Sequence, residues 1–473
     1  MDYKYYYNEI CKILNRCSRD SLVSLFVNNN FDYFDIDADY SKVDSYMKKY
    51  GIIPGYLDVI KNIYYLNEYD NKPFKKDIVK KDIVKISHII DKVIIKSMNE
   101  MENKLFSVNR QFHLQKKWQK DYFLSLYLLD FYFDDEYLKK IFKESNNIDC
   151  QDLVVYLFLI KTIINANLTA KKEYILEIMK KIQSSLDIIK IDKNEYCCKQ
   201  LHYFEQNDFN FVFSRMVFND YPIVLGEDVF TTSFIDICSA VFSNTVRLLG
   251  KKNSKMIGDR FEYIFYYLLI NDYSNKEFID KNPYLTKKVE LCDILIKKSN
   301  KYLFVDLKAK QFIEDIYYNN SYSNESICRM VNFFEERFAK IQKIKQNEES
   351  YFKNKNLSVD INDIYSLIVV QDTMDISLDF ICMKLKEKSK KIDIDYCRSN
   401  IVLISHTDLL FCILTDTDII EYLENRKINN TLDNYFLHGL KGDKKSKSFD
   451  IWYKKISEKA MNLFSDIRLA CKS

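Results

Sequence analysis

Glycine and proline are scarce in this chain, and their scarcity restricts the fold more than any other feature of the sequence. The 473 residues include 7 glycines and 4 prolines. These two residues end helices and supply the special backbone angles of tight turns, so few positions here interrupt regular structure. We therefore expect long helices joined by polar connections.

The chain is long enough for more than one domain. Residues 1–225 carry apolar side chains at helical spacing and are predicted to form a mostly α-helical N-terminal domain, with a role in targeting, regulation or assembly. Pro222 and Gly226 lie close together, which favours a boundary there. Residues 226–473 alternate helices with short strands, a pattern typical of an α/β domain around a small mixed sheet flanked by helices.

The second predicted domain has a definite order of elements. A helix runs to about Ile270 and is expected to break near Gly250–Ser254. Two strands, a helix, two further strands and two closing helices follow. In chain order these are the strands 289–297 and 301–310, the helix 325–346, the strands 365–371 and 400–405, and the helices 407–425 and 449–469.

Composition excludes several classes of protein. Apolar residues make up 47% and charged residues 29%, which fits a globular chain, and no apolar run is long enough to cross a bilayer. The 12 scattered cysteines and the polar start predict reduced thiols in the cytoplasm and speak against a zinc site. Without a glycine-rich phosphate loop, we expect no nucleotide cofactor. A net charge of +3 means that a nucleic-acid partner would need a local basic surface.

The two strands before the central helix are predicted to form a hairpin. A symmetric hairpin centred between Ser299 and Asn300 places Asp293 opposite Asp306, and alternation along the strand puts Lys308 on the same face. Directly opposed carboxylates repel each other, so one of them is protonated or solvated at a frayed end, or a divalent cation lies between them. By the same alternation, Glu290 is expected on the opposite face and is interpreted as structural.

These residues follow the motif of a known nuclease superfamily. Glu262 lies on the preceding helix, and Asp293 comes before Asp306-Leu307-Lys308. The order resembles the PD-(D/E)xK, or restriction-endonuclease-like, superfamily over about residues 235–425. Cys292 stands where the motif's proline would be. The resemblance implies a restriction-endonuclease-like core.

The resemblance also implies roles for these residues. Asp293 and Asp306 would bind Mg²⁺, for which Mn²⁺ would substitute, with the Leu307 backbone carbonyl as a further ligand. Glu262 would complete the metal site, and Lys308 would orient the attacking water or stabilise charge on the phosphate. Such chemistry suits an anionic phosphodiester, whose charge a metal must neutralise before water attacks.

Local charge favours a nucleic-acid partner for this region. Candidate phosphate contacts are Lys255, Arg260, Lys288 and Lys310, although each also fits an ordinary solvated surface. The predicted function is a metal-dependent endonuclease acting on DNA, in a setting such as bacterial restriction or anti-phage defence. The alternative is an inactive nuclease-like domain that binds nucleic acid or protein. RNA as substrate, a partner subunit and a homo-oligomer stay open.

Overall fold

A computed structural model gives the architecture. It describes most of the helical first half and the sheet of the second half. The described residues are 3–22, 24–26, 43–51, 56–66, 76–98, 122–166, 171–187, 190–192, 194–195, 223–225, 230–231, 234–286, 289–308, 328, 331–340, 342, 364–370, 378–388, 392–395, 401–421, 423–424 and 446–471.

Helices dominate the described residues up to 187, as the apolar spacing predicts. They are α1 (Tyr3–Leu14), α2 (Val43–Tyr50), α3 (Tyr56–Leu66), α4 (Lys80–Met98), α5 (Tyr122–Tyr132), α6 (Glu136–Asn146), α7 (Cys150–Asn165) and α8 (Lys171–Ser185). Three short strands follow: β1 (Lys190–Asp192), β2 (Ile223–Leu225) and β3 (Phe230–Thr231). β1 pairs with β2 in parallel, and β2 pairs with β3 antiparallel.

The rest of the chain combines helices with strands. Its elements are α9 (Phe234–Asn271), β4 (Phe278–Lys281), β5 (Tyr284–Thr286), β6 (Val289–Glu290), β7 (Ile294–Lys298), β8 (Lys301–Lys308), β9 (Ile364–Val370), α10 (Leu378–Lys388), β10 (Ile401–Ser405), α11 (His406–Leu414) and α12 (Lys447–Ala470). Residues 331–340, between β8 and β9, are also helical and are called the crossover helix below.

Contacts divide the chain into two compact units. The first contains Met1–Lys252 and Trp452–Ser473, and the second contains Asn253–Ile451. The division falls inside α9, whereas the sequence places a domain boundary at 225. In the first unit, Trp452 of α12 packs against the rings of Tyr127 and Phe158.

The predicted break of α9 near Gly250–Ser254 is wrong, because the helix is continuous. A glycine inside a helix costs about 1 kcal/mol relative to alanine. Buried residues on both sides of the glycine offset that cost, with Val241 and Thr245 before it and Phe261 and Ile264 after it. Tertiary packing therefore keeps the helix continuous through Gly250.

A five-stranded mixed sheet forms the centre of the second unit. Its order is β10-β9-β8-β7-β4, with β4, β7 and β8 antiparallel and β8, β9 and β10 parallel. Every residue from Tyr302 to Leu307 in β8 is buried, as expected for a central strand covered on both faces. The chain therefore combines a mostly helical structure with a small mixed sheet, which fits the predicted α/β class.

Among the described residues, no helix has the length and apolarity that crossing a membrane requires.

Candidate active site

The β7–β8 hairpin has the register that the sequence predicts. Ser299 adopts a left-handed backbone with φ 55° in the turn, and Lys298 pairs with Lys301. The ladder continues without a shift to Ile294 and Val305. Asp293 and Asp306, which were expected to face each other, are the next residues along the two chains and lie just beyond the last pair of this ladder.

The Asp293 side chain completes the hydrogen bonding at the open end of the hairpin. Its backbone N–H donates to the Val305 carbonyl at 3.1 Å, and its own carbonyl accepts from the Asn282 N–H at 2.9 Å. The backbone N–H of Leu307 donates to Oδ2 of the Asp293 carboxylate. The carboxylate therefore supplies the acceptor that a backbone carbonyl would supply in a longer ladder.

Lys308 joins the two carboxylates. Its Nζ donates to Asp293 Oδ2 at 2.9 Å and lies 3.8 Å from Asp306 Oδ1. Each aspartate exposes only 4% of its surface. Buried carboxylates need a compensating charge or strong hydrogen bonds, and the ammonium group provides both. The structure thus brings together three of the four predicted catalytic residues through direct contacts.

A second lysine, which the sequence did not indicate, approaches the same site. Nζ of Lys340, on the crossover helix, donates to Asp306 Oδ1 at 3.1 Å. The crossover helix buries Phe334 and Phe338, and its Glu335 forms an ion pair with Lys388 of α10. These contacts fix the helix that carries Lys340. No sequence spacing connects Lys340 with Asp306, because tertiary packing creates their contact.

Glu262 lies on α9 within electrostatic reach of the pair. Burial raises the pKa of its carboxyl, and the nearby Asp293 charge raises it further. The Lys308 charge acts in the opposite direction. The fourth predicted residue is therefore part of the same charge cluster, although no direct hydrogen bond joins it to the aspartates among the described contacts.

Glu290, which the sequence analysis interprets as structural, also lies within electrostatic reach of the two aspartates. Burial raises the pKa of this carboxyl, and the Asp293 and Asp306 charges add to the effect. The alternation argument assumes one continuous strand, whereas β6 ends at Glu290 and β7 begins at Ile294. The irregular backbone between them breaks the two-residue period.

Cys292 has a core role. It is fully buried in a cluster of large side chains, and burial raises the pKa of its thiol. The cluster comprises Leu291, Cys292, Leu295, Tyr302, Phe304 and Ile364. The residue in the place of the motif's proline thus anchors the segment that carries Asp293.

The donor set fits a hard divalent cation. In the part of the chain that the structure describes, no three Cys, His, Asp or Glu side chains form a ready metal cage. Mg²⁺ does not require one, since it is commonly held by one or two carboxylates together with water and phosphate oxygens. Glu262 and Glu290 lie within electrostatic reach of the aspartates, so the acids near the site outnumber the two lysines that contact Asp306.

Of the four basic residues predicted to contact phosphate, two lie in the described part of the chain. Lys255 is exposed on α9, and the Arg260 guanidinium lies 5.2 Å from the centre of the Tyr263 ring. Lys288 and Lys310 lie outside the described residues. Two of the four basic candidates therefore share the helix that carries Glu262.

Comparisons with known proteins give no match: no family model, no curated protein and no solved structure corresponds to the chain.

Proposed function

We propose that the second unit is a divalent-cation-dependent nuclease that hydrolyses phosphodiester bonds of DNA. The observation that carries this proposal is the buried pair Asp293 and Asp306, with Lys308 in reach of both. Two aspartates and a lysine at the end of a hairpin serve no purpose in packing that apolar residues would not serve better. They are the groups that phosphodiester hydrolysis requires.

The order of elements supports the proposal. In the five-stranded sheet, the helix carrying Glu262 is followed by β4, which holds no candidate residue; Asp293 then lies directly before β7, and Asp306 and Lys308 lie in β8. The crossover helix and the parallel strand β9 follow. This is the order that the resemblance to the PD-(D/E)xK superfamily implies.

Each residue of the site would have a defined task. Asp293 and Asp306 would hold the cation, with the Leu307 carbonyl and Glu262 as candidates for completing its shell. When bound, the cation would neutralise charge on the phosphate and lower the pKa of an attacking water. Lys308 would orient that water and stabilise the negative charge that develops on the phosphate oxygens. Its contact with Asp293 holds the ammonium in place before substrate arrives.

A cleavage assay with matched controls tests the proposal. Supercoiled plasmid and single-stranded RNA are incubated with Mg²⁺ and with the wild type, Asp306→Asn or Lys308→Met. We expect DNA cleavage by the wild type and a loss of about a hundredfold or more in each variant.

The controls change the same residue types elsewhere in the second unit. Asp418→Asn and Lys301→Met remove ion pairs with Lys298 and Glu424, and both should keep activity. Equal cleavage by all five proteins would contradict the site, and cleavage of RNA alone would contradict the choice of DNA.

Calorimetric titration separates an enzyme from an inactive binding module. Mg²⁺ or Mn²⁺ should bind the wild type, and the binding should disappear with Asp293→Asn. Nucleic-acid binding without metal binding or cleavage would support the alternative, in which the domain only holds its partner. A setting in bacterial restriction or anti-phage defence is part of the proposal, and protection of cells from phage by the wild type but not by Asp306→Asn would support it.

A further inference from the structure

The outer face of α9 beside the candidate active site carries large apolar side chains. Tyr263, Tyr267 and Ile270 are 45%, 40% and 42% exposed. Their spacing of four and three residues places them in one row along the helix. The opposite face buries Ile264 and Leu268 in the core. Helix α9 therefore packs into the core through one face and exposes this row on another.

Flat groups follow one another along this row. The rings of Tyr263 and Tyr267 have centroids 6.2 Å apart and planes inclined by 32°, so they are closer to parallel than to perpendicular. The Arg260 guanidinium lies 5.2 Å from the Tyr263 ring centre. Aromatic rings and guanidinium planes are the surfaces on which unpaired bases stack.

Basic side chains lie near the row. Lys255 and Lys281 are exposed, and the Lys281 Nζ lies 5.3 Å from the ring of Tyr266 in the same helix. Arg260 adds a third basic group on the same helix as Tyr263, and the exposed acids of this stretch are Asp259 and Glu277. A negatively charged backbone would be attracted while its bases stack on the rings.

The row adjoins the charge cluster of the site. Tyr263 directly follows Glu262, and the Lys281 charge acts on the Glu262 carboxyl. Bases held on the row would therefore lie within a few nucleotides of the aspartate pair.

We propose that Arg260, Tyr263 and Tyr267 form a stacking platform for unpaired bases, and that the substrate of the site includes a single-stranded or splayed segment. This inference rests on the proposed nuclease function. In a duplex the base faces are covered by their neighbours, so rings on the protein surface cannot reach them unless bases are extruded. Every base has a π-face, so recognition by stacking is tolerant of sequence.

A binding measurement under conditions that prevent cleavage tests the platform. Fluorescence anisotropy is measured in EDTA with labelled oligothymidylate of about 16 nucleotides and with a duplex of the same length. The double variant Tyr263→Ala, Tyr267→Ala should bind the single strand about fivefold to a hundredfold more weakly for each stacked base that is lost, and the duplex nearly as well as the wild type.

Conservative variants separate stacking from general apolar contact. Tyr263→Phe keeps a flat ring and should bind the single strand like the wild type. Tyr263→Leu keeps an apolar side chain without a ring and should bind as weakly as Tyr263→Ala. Tyr137→Ala removes a tyrosine that is 56% exposed in the first unit and should change nothing. Full binding by the leucine variant, or an equal loss for duplex and single strand, would overturn the platform.

The outcomes also separate the platform from the nuclease proposal. If DNA is cleaved and both tyrosine variants bind and cleave as the wild type does, the platform falls and the nuclease stands. If the wild type binds neither nucleic acid, the platform falls, and the face would instead fit a protein partner. If the single strand binds through the tyrosines but Mg²⁺ produces no cleavage, the platform stands and the nuclease assignment falls.

Discussion

Replacing Lys340 with methionine removes one charge from the candidate site and keeps most of the aliphatic stem of the side chain. The Lys340 Nζ lies 3.1 Å from Asp306 Oδ1, a separation at which opposite charges attract by about 5 kcal/mol if the effective dielectric constant is about 20. Hydration of the ammonium in the unfolded chain offsets much of that attraction. A charge-assisted hydrogen bond contributes about 1.5–3 kcal/mol after this offset.

The loss should fall near the lower end of this range. The Lys340 side chain is 20% exposed, so water screens the pair in part. Lys308, at 3.8 Å, continues to compensate Asp306 after the substitution. We expect a local destabilisation of about 1.5–2 kcal/mol, confined to the end of β8 and the crossover helix.

Amide hydrogen exchange followed by mass spectrometry measures local stability in β8 itself. Both tryptophans, Trp118 and Trp452, belong to the first unit, so their fluorescence does not report on the site. The β8 peptide Lys301–Lys308 should lose protection by about tenfold to thirtyfold in Lys340→Met.

A double-mutant cycle decides whether the contact with Asp306 causes the loss. In an Asp306→Asn background, Lys340→Met should change the protection of β8 by less than about threefold, since the partner charge is already absent. An equal loss in both backgrounds would refute the reasoning and would mean that Lys340 stabilises the crossover helix in some other way.

Three further outcomes are expected. Burial raises the pKa of the Asp130 carboxyl above its ordinary value of 3.8, although the Trp452 indole N–H donates to it at 2.9 Å. The fold therefore favours the protonated form, whose contribution to stability is present below pH 3.8 and is lost as the pH rises through the raised pKa. Asp130→Asn should therefore gain stability over the wild type as the pH rises from 3.8 to neutral in thermal unfolding, and a gain that shrinks with rising pH would contradict this sign. Trp452→Ala should cost about 3–5 kcal/mol in urea unfolding followed by circular dichroism, because it opens a cavity beside Tyr127 and Phe158; a loss below 1 kcal/mol would contradict this packing role. Glu290→Gln should weaken Mg²⁺ binding severalfold in calorimetry, less than Asp306→Asn does, and unchanged affinity would remove Glu290 from the cluster.

The hairpin could be predicted in detail because its information is local. The turn at Ser299 fixes the register, and strand alternation then places Asp306 and Lys308 on one face. These two rules require no knowledge of the rest of the chain. The same locality explains the agreement for β9 and β10, which are short apolar runs with clear ends.

The remaining parts of the site depend on packing between distant segments. Lys340 reaches Asp306 only because the crossover helix returns over the sheet, and the sequence contains no signal for that contact. Edge strand β4 was not predicted, since Phe278–Lys281 is largely exposed and lacks a buried apolar run. The position of Glu290 relative to Asp293 could not be derived from alternation, because an irregular backbone separates the two residues.

The side chain of Asp293 determines which variant can serve as a substrate trap. Its carboxylate accepts from the Leu307 N–H and thereby closes the hairpin, so its replacement would alter the backbone that presents the neighbouring groups. Asp306 instead contacts two lysine side chains, which would remain to attract a phosphate after Asp306→Asn. A search for bound nucleic acid in cells should therefore use Asp306→Asn as bait, because that variant should hold its target with the hairpin intact.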